Sequence, residues 1–177
     1  MGFEALGPGS KAPEEFHVVI EIAANAGPVK YEVDKETGLL FVDRFMNVAM
    51  HYPANYGYIP QTLYDDGDPT DVLVLTPHAV VPGSVIKCRA VAVLDTEDES
   101  GRDAKVLAVP TDKVSTKYYA DMKDLADVPQ RMQNEIKHFF ERYKDLEEGK
   151  WVKIAGWRDA AEARSEISRS IEAYNKG

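Results

Sequence analysis

The chain has 177 residues, 44% of them hydrophobic and 29% charged, with a formal net charge of −9 and one cysteine. That length suits a single domain with a sizeable core, in the composition range of ordinary globular proteins. The acidic balance argues against a general nucleic-acid binder, no apolar run reaches membrane-spanning length, and a lone thiol excludes an internal disulfide.

The first residues, Met1 to Pro8, carry neither a basic segment nor a continuous apolar core, so no secretory signal is expected. The Gly- and Pro-containing stretch to Pro13 is predicted to fray, and a reducing cytoplasm is the expected compartment. Strand-like runs follow: His17–Ile22, Lys30–Val33, Leu39–Arg44, Val72–Leu75, a long one from Ser84 to Leu94, and Ala104–Val109. Turn signals at Ala26-Gly27-Pro28, Glu36-Thr37-Gly38, Pro82-Gly83 and Ser100-Gly101 separate them. Short strands at this spacing predict a closed or nearly closed antiparallel barrel. Cys88, between Lys87 and Arg89 in a strand, reads as a buried, inert thiol.

Two helices end the chain. One begins at Pro129 and places Met132, Ile136, Phe140 and Tyr143 on one face. The other opens on the capping-box-like Asp159-Ala160-Ala161-Glu162 and continues an apolar stripe through Ile167, Ile171 and Tyr174. The whole reads as an α+β domain, a barrel with two flanking helices.

The most informative stretch is Asp65-Asp66-Gly67-Asp68-Pro69-Thr70-Asp71, which leads into the apolar Val72-Leu73-Val74-Leu75. Two carboxylates about 4 Å apart repel by roughly 4 kcal/mol at an effective dielectric near 20. Such a cluster splays into water, shares protons or holds cations, and hard oxygen ligands suit Mg²⁺, Mn²⁺ or Ca²⁺. A solvated turn is the ordinary alternative. An EF-hand fails in either frame: Asp71 falls where the turn glycine belongs, or Gly67 where the third-position carboxylate belongs. A second cluster, Asp95 to Lys105, sits where two strands meet and reads as a hairpin tip unless it faces the first across a barrel mouth.

Groups of opposite sign lie between. Lys30 and Glu32 share a strand face, and Arg44 ends a strand. Arg offers a planar fork for phosphate oxygens and Lys a point charge. The segment His51 to Pro60 concentrates phenols between two prolines; these either donate to an anion or pack as amphipathic aromatics. Tyr143-Lys144 adds a donor pair, and His51 and His78 read as surface or capping histidines. There is no Gly-rich loop ending in Lys-Ser/Thr and no Gly-x-Ser-x-Gly elbow, which excludes a P-loop and a serine-hydrolase elbow. A metal-dependent phosphohydrolase of nucleotides or phosphodiesters, or a silent divalent-ion or oligonucleotide-binding barrel, would share the acidic clusters.

The segment Asp66-Gly67-Asp68-Pro69-Thr70-Asp71-Val72 resembles the signature of the soluble family I inorganic pyrophosphatases. Val18–Ile22, Lys30-Tyr31-Glu32, Phe41–Met46, Tyr52–Tyr58 and His138–Leu146 are similar to the bacterial branch, and the likeness covers about Glu14 to Trp157. The resemblance implies a five-stranded OB-like barrel. It also implies Mg²⁺-dependent hydrolysis of pyrophosphate to two orthophosphates, by in-line attack of a metal-activated water without a covalent intermediate. Mn²⁺ or other divalent ions would substitute. By the same resemblance Asp66, Asp71 and Asp103 bind activating metals, with Asp71 bridging two. Asp98 with Asp103 takes the metal arriving with substrate, and Glu21 acts on a further ion through water. Glu32, Lys105 and Tyr52 orient that shell. Asp68 accepts a proton from the attacking water, and Lys30, Arg44, Tyr56, Tyr143 and Lys144 bind phosphate. The implied partners are pyrophosphate, phosphate and further copies of the chain as a cytoplasmic homohexamer, with no nucleic acid and no membrane. Three positions depart from the common pattern: Ala23 replaces a frequent proline, Arg102 adds a cation beside the second cluster, and Arg142 stands where histidine is frequent near the subunit contact.

Overall fold

The structure, a computed structural model, describes residues 2–177. Among these residues nine strands and three α-helices occur in the order β1 (Phe16–Ile22), β2 (Val29–Val33), β3 (Leu40–Phe45), β4 (Asn55–Tyr58), β5 (Asp71–Val74), β6 (Val85–Asp98), β7 (Gly101–Arg102), β8 (Lys105–Pro110), α1 (Asp112–Ser115), α2 (Gln130–Arg142), β9 (Val152–Arg158) and α3 (Ala160–Lys176). The stretch expected to fray carries a short 3-10 turn, Phe3–Leu6. Phe3 packs near Val19, Val33 and Tyr58, and the Gln61 side chain donates to the Glu4 carbonyl at 2.8 Å.

Five strands close on themselves. β1 pairs with β4, β4 with β5, β5 with β8, β8 with β6, and β6 returns to β1. This is the ring of an α+β fold that the spacing predicted, with one correction: β5 and β8 run parallel. Turn spacing predicts antiparallel neighbours joined by hairpins, but β8 is reached from β5 only through the long β6, so that pair escapes a local reading. β4 was also hidden, because Asn55-Tyr56-Gly57-Tyr58 looks like a proline-bounded loop. Gly57 is required there: an added Cβ would lie 1.9 Å from the Val19 carbonyl oxygen.

Alternation along the strands feeds two apolar layers, so both faces are buried and the strands read as nearly continuous apolar runs. Val72, Val74, Val106 and Ala108 join Ala163 and Ile167 of α3 in one layer. Leu73, Leu107 and Val109 join Ile136, Phe139 and Phe140 of α2 in the other. A bulge between Ala90 and Ala92 of β6 resets the alternation, returning Val93 to the α3 layer. Cys88 is fully buried in that layer, and burial pushes its thiol pKa up, as expected of an inert cysteine.

β6 continues past Leu94 to Asp98 because β9, unforeseen in the sequence, pairs along it. α2 starts at Gln130 with Pro129 as its cap. In α3 the Asp159 side chain accepts from the Glu162 amide at 2.9 Å, but Glu162 turns its own carboxylate to Arg158 at 2.5 Å, so only half of a capping box forms. Among the described residues no helix is long and apolar enough to cross a membrane.

Candidate active site

The two acidic stretches are brought together at one rim of the ring. Gly67, at φ +92°, reverses the chain between Asp66 and Asp68. The turn is closed by Asp68 donating its amide to Asp66 Oδ1 (3.1 Å) and by Tyr64 donating its amide to the Asp68 carbonyl (2.7 Å). Across from it, Gly101 turns β6 into β7, and the Ser100 amide donates to Asp98 Oδ1 at 2.8 Å. Asp66, Asp68 and Asp71 from the first stretch and Asp98, Glu99 and Asp103 from the second line a single cleft of about 210 Å³.

The β2–β3 hairpin forms another wall of that cleft. It contributes Lys30, Glu32 and Arg44. Lys30 lies 3.7 Å from Glu32 despite a bulge after Lys30, so the two do share a face, and 3.2 Å from Asp43. Tyr143 and Lys144, just beyond α2, complete the rim. Lys144 Nζ lies 2.7 Å from Asp98 Oδ2, and Arg44 Nε 3.4 Å from Glu147 Oε1. Each of these cations is therefore already paired with a carboxylate.

At the floor, strand register sets the chemistry. Asp71 and Lys105 are register partners in the parallel β5–β8 pair. Lys105 is 3% exposed, and its Nζ donates to Asp71 Oδ2 and Asp103 Oδ2 at 2.6 Å each and to Tyr56 Oη at 3.1 Å. The Tyr56 hydroxyl donates in turn to Asp71 Oδ2 at 2.5 Å. Burial pulls the Lys105 pKa down, but Asp103 and Asp71 outweigh it and hold the ammonium charged. Burial, reinforced by Asp71, pushes the Tyr56 pKa well up, so the phenol remains a donor.

The carboxylates show the strain of crowding. Burial pushes Asp103 up to about 7 against the pull of Lys105, with Asp71 and Asp66 adding to the rise. Glu21, 5% exposed, is pushed up to about 8 by burial although it accepts the Val33 amide at 2.8 Å. Burial raises Asp66 as well, with Asp71 and Asp68 contributing. Nearby positive charge would relieve all three.

Every residue the resemblance singled out lines this cleft except Tyr52, which lies beneath it. Tyr52 is 3% exposed and packs on Tyr56 and Phe139, with ring centroids 5.8 and 4.9 Å away. The sequence reading missed Lys35, Tyr58, Glu99 and Lys150, which also line the wall. Glu99 lay within the second acidic run and Tyr58 within the phenol segment, so both carried a signal. Lys150, held at 2.6 Å by Glu99, carried none.

A rigid ring whose rim sets carboxylates against lysines, an arginine and phenols defines a site for a polyanion accompanied by cations. Comparison with known proteins gives the particular family. The model of the inorganic pyrophosphatase family matches residues 18–175. An inorganic pyrophosphatase of Yersinia pestis is 58% identical over 176 residues, 99% of this chain and all of that protein. That of Escherichia coli K12 is 59% identical over 169 residues, 95% of this chain and 96% of the other. Among solved structures, an inorganic phosphatase of Anaplasma phagocytophilum superposes with a TM-score of 0.93 at 51% identity, covering 96% of this chain and 98% of that one. The inorganic pyrophosphatase of Thermus thermophilus gives 0.92 at 44% identity with both chains fully covered. The chain belongs to the inorganic pyrophosphatase family and is an inorganic diphosphatase.

Proposed function

We propose that this chain hydrolyses pyrophosphate to two orthophosphates with Mg²⁺, by direct in-line attack of water in the cleft. The observation that carries the reading is the facing of Asp66, Asp71, Asp98 and Asp103 toward Lys30, Arg44 and Lys144 across one small cavity. Among the described residues, no three Asp, Glu, His or Cys side chains converge as a ready-made metal cage. Mg²⁺ keeps several waters and is commonly held by one or two carboxylates together with substrate phosphates. The donors are all hard oxygens, and burial raises the pKa values of Asp66 and Asp103, with neighbouring carboxylates adding to the rise.

Asp66, Asp71 and Asp103 would hold the activating ions, Asp98 and Asp103 the one accompanying substrate, and Glu21 a further ion through water. Bound divalent ions supply Lewis acidity, lowering the pKa of water from about 15.7 toward 7 and offsetting phosphate charge. The remaining work belongs to side chains. Asp68, exposed at the tip of its turn, takes the proton of the attacking water. Lys30, Arg44, Tyr56, Tyr143 and Lys144 grip the two phosphoryl groups and stabilise the charge that builds on the leaving phosphate. Pyrophosphate would take over the places that Asp43, Asp98 and Glu147 hold beside Lys30, Lys144 and Arg44. Cys88 lies in the core, away from the cleft, which agrees with a reaction lacking a covalent thiol intermediate.

The test is phosphate release from pyrophosphate with Mg²⁺, with chelator, and with a nucleotide or phosphodiester in place of pyrophosphate. Release confined to pyrophosphate plus Mg²⁺ is expected. Equal activity in chelator, or on the alternative substrates, would refute the reading. Assembly into a homo-oligomer, a hexamer by family likeness, is supported by apolar side chains left outward on and beside β3: Leu39 is 61%, Phe41 52% and Phe45 74% exposed. Light scattering at micromolar concentration checks it.

A further inference from the structure

A carboxylate that the proposed mechanism does not use ties the two acidic stretches together from behind. Glu166, in the middle of α3, is 7% exposed and accepts from three arginines and a tyrosine. Its Oε1 accepts from Arg102 Nη2 at 2.5 Å and Arg158 Nη2 at 2.8 Å. Its Oε2 accepts from Arg169 Nη2 and the Tyr64 hydroxyl, both at 2.9 Å.

The partners of those arginines matter more than their number. Arg169 forks onto Asp65, with Nη1 to Oδ1 at 2.6 Å and Nη2 to Oδ2 at 3.2 Å, and Asp65 immediately precedes Asp66. Arg102 immediately precedes Asp103 and also binds Asp95, three residues before Asp98, at 2.9 Å. The Arg169 and Arg102 guanidiniums lie 4.8 and 5.8 Å from the centre of the Tyr64 ring, on the residue immediately before the first acidic stretch. The backbone repeats the tie: the Leu63 amide donates to the Ser170 carbonyl of α3 at 3.0 Å. By contrast, the hydrogen bonds that shape the Asp66–Asp68 turn are made within the turn itself. The turn is thus shaped locally but placed by α3.

We propose that Glu166, through Arg102 and Arg169, is a positioning residue that sets the separation of Asp66 from Asp103 and so the cation affinity of the cleft. This rests on the reading of the cleft as a divalent-ion site. Outer partners that orient metal ligands typically change affinity about 10–100-fold when removed. Glu166 holds the Arg102 and Arg169 guanidiniums on its two different oxygens, Oε1 and Oε2, which sets their spacing.

The probe is Mn²⁺ alone, counted by electron paramagnetic resonance without pyrophosphate, at a temperature well below each variant's unfolding. Glu166→Gln, Arg102→Ala, Arg169→Ala and the exposed Asp65→Ala are compared with Glu172→Ala, which removes the Glu172–Lys176 ion pair of the same helix, a pair that touches neither acidic stretch. The first four should bind Mn²⁺ about tenfold or more weakly, with Glu172→Ala at the parent affinity. Arg169→Lys should recover only part of the loss, since an ammonium cannot fork. Parent affinity in folded Arg169→Ala and Asp65→Ala, whatever their melting temperatures, would overturn the positioning role. If the parent itself takes up no Mn²⁺, it is the divalent-ion reading that fails.

Discussion

Replacing Lys105 by methionine isolates the charge at the floor of the cleft from the volume that carries it. Methionine keeps an unbranched chain of similar reach, so little cavity is created, while the ammonium that donates to Asp71 and Asp103 at 2.6 Å each is gone. Two carboxylates would then confront each other around a site that is 3% exposed in the parent. Removing one partner of a buried ion pair costs about 3–5 kcal/mol, chiefly because the surviving charge stays desolvated. For a chain of this size each kcal/mol moves the melting temperature by roughly 2–4 °C, so a fall of roughly 6–20 °C is expected. Calorimetry in chelator at pH 8, above the value of about 7 that Asp103 has beside Lys105, reads it directly. Adding Mg²⁺ should recover part of the loss, and the double variant Lys105→Met/Asp103→Asn should lie above the single one. A fall smaller than about 2 °C, or a double variant no more stable than the single, would show that Lys105 does not balance these carboxylates.

Gly57→Ala forces a methyl to within 1.9 Å of the Val19 carbonyl oxygen, where only backbone can yield; a loss on the order of 3 kcal/mol in urea unfolding is expected, and a change within about 0.5 kcal/mol would contradict the close approach. In chelator, stability should fall as pH rises from about 4 to 8. Asp103 and Glu21 have folded values raised to about 7 and about 8, so their contribution is fullest below the unfolded carboxylate range and disappears as they ionise. Glu166 has the opposite sign: its value is lowered to about 2 because its arginine and tyrosine hydrogen bonds outweigh burial, so its contribution is present above about 4.5 and lost toward pH 2. Melting curves across pH 2–9 should therefore peak between these windows, and a monotonic rise to pH 8 would count against the assignment. Asp71→Asn should weaken divalent-ion binding and turnover by about tenfold or more, with near-parent turnover excluding a ligand role. Asp68→Asn should displace the pH–rate profile; an unmoved profile at parent turnover would remove it as proton acceptor.

Much of the ring was legible because its strands are apolar on alternating or both faces and are punctuated by Gly and Pro. What escaped has a common cause: periodicity describes a strand but not its neighbour. The parallel approach of β5 and β8 and the pairing of β9 along β6 depend on partners far away in the chain. The acidic run from Asp95 looked like a turn, yet its first residues continue β6 because β9 supplies hydrogen bonds along them. The candidate site was legible through the resemblance, whose motifs name its residues one by one. The arginine cluster around Glu166 was invisible for the opposite reason. Asp65 and Arg169, 104 positions apart, each look like routine surface charges until α3 packs against the ring.

The parallel pairing of β5 with β8 makes the floor of the cleft a matter of counting. Asp71 and Lys105 meet only because four consecutive rungs, from Asp71 with Lys105 to Val74 with Ala108, stay in step. Deleting one residue from Val72 to Val74 would slide the aspartate by about 3.3 Å and flip it to the opposite side of the sheet. Length changes in this lineage should therefore gather in the outlying turns, while the spans leading into these two strands keep their count.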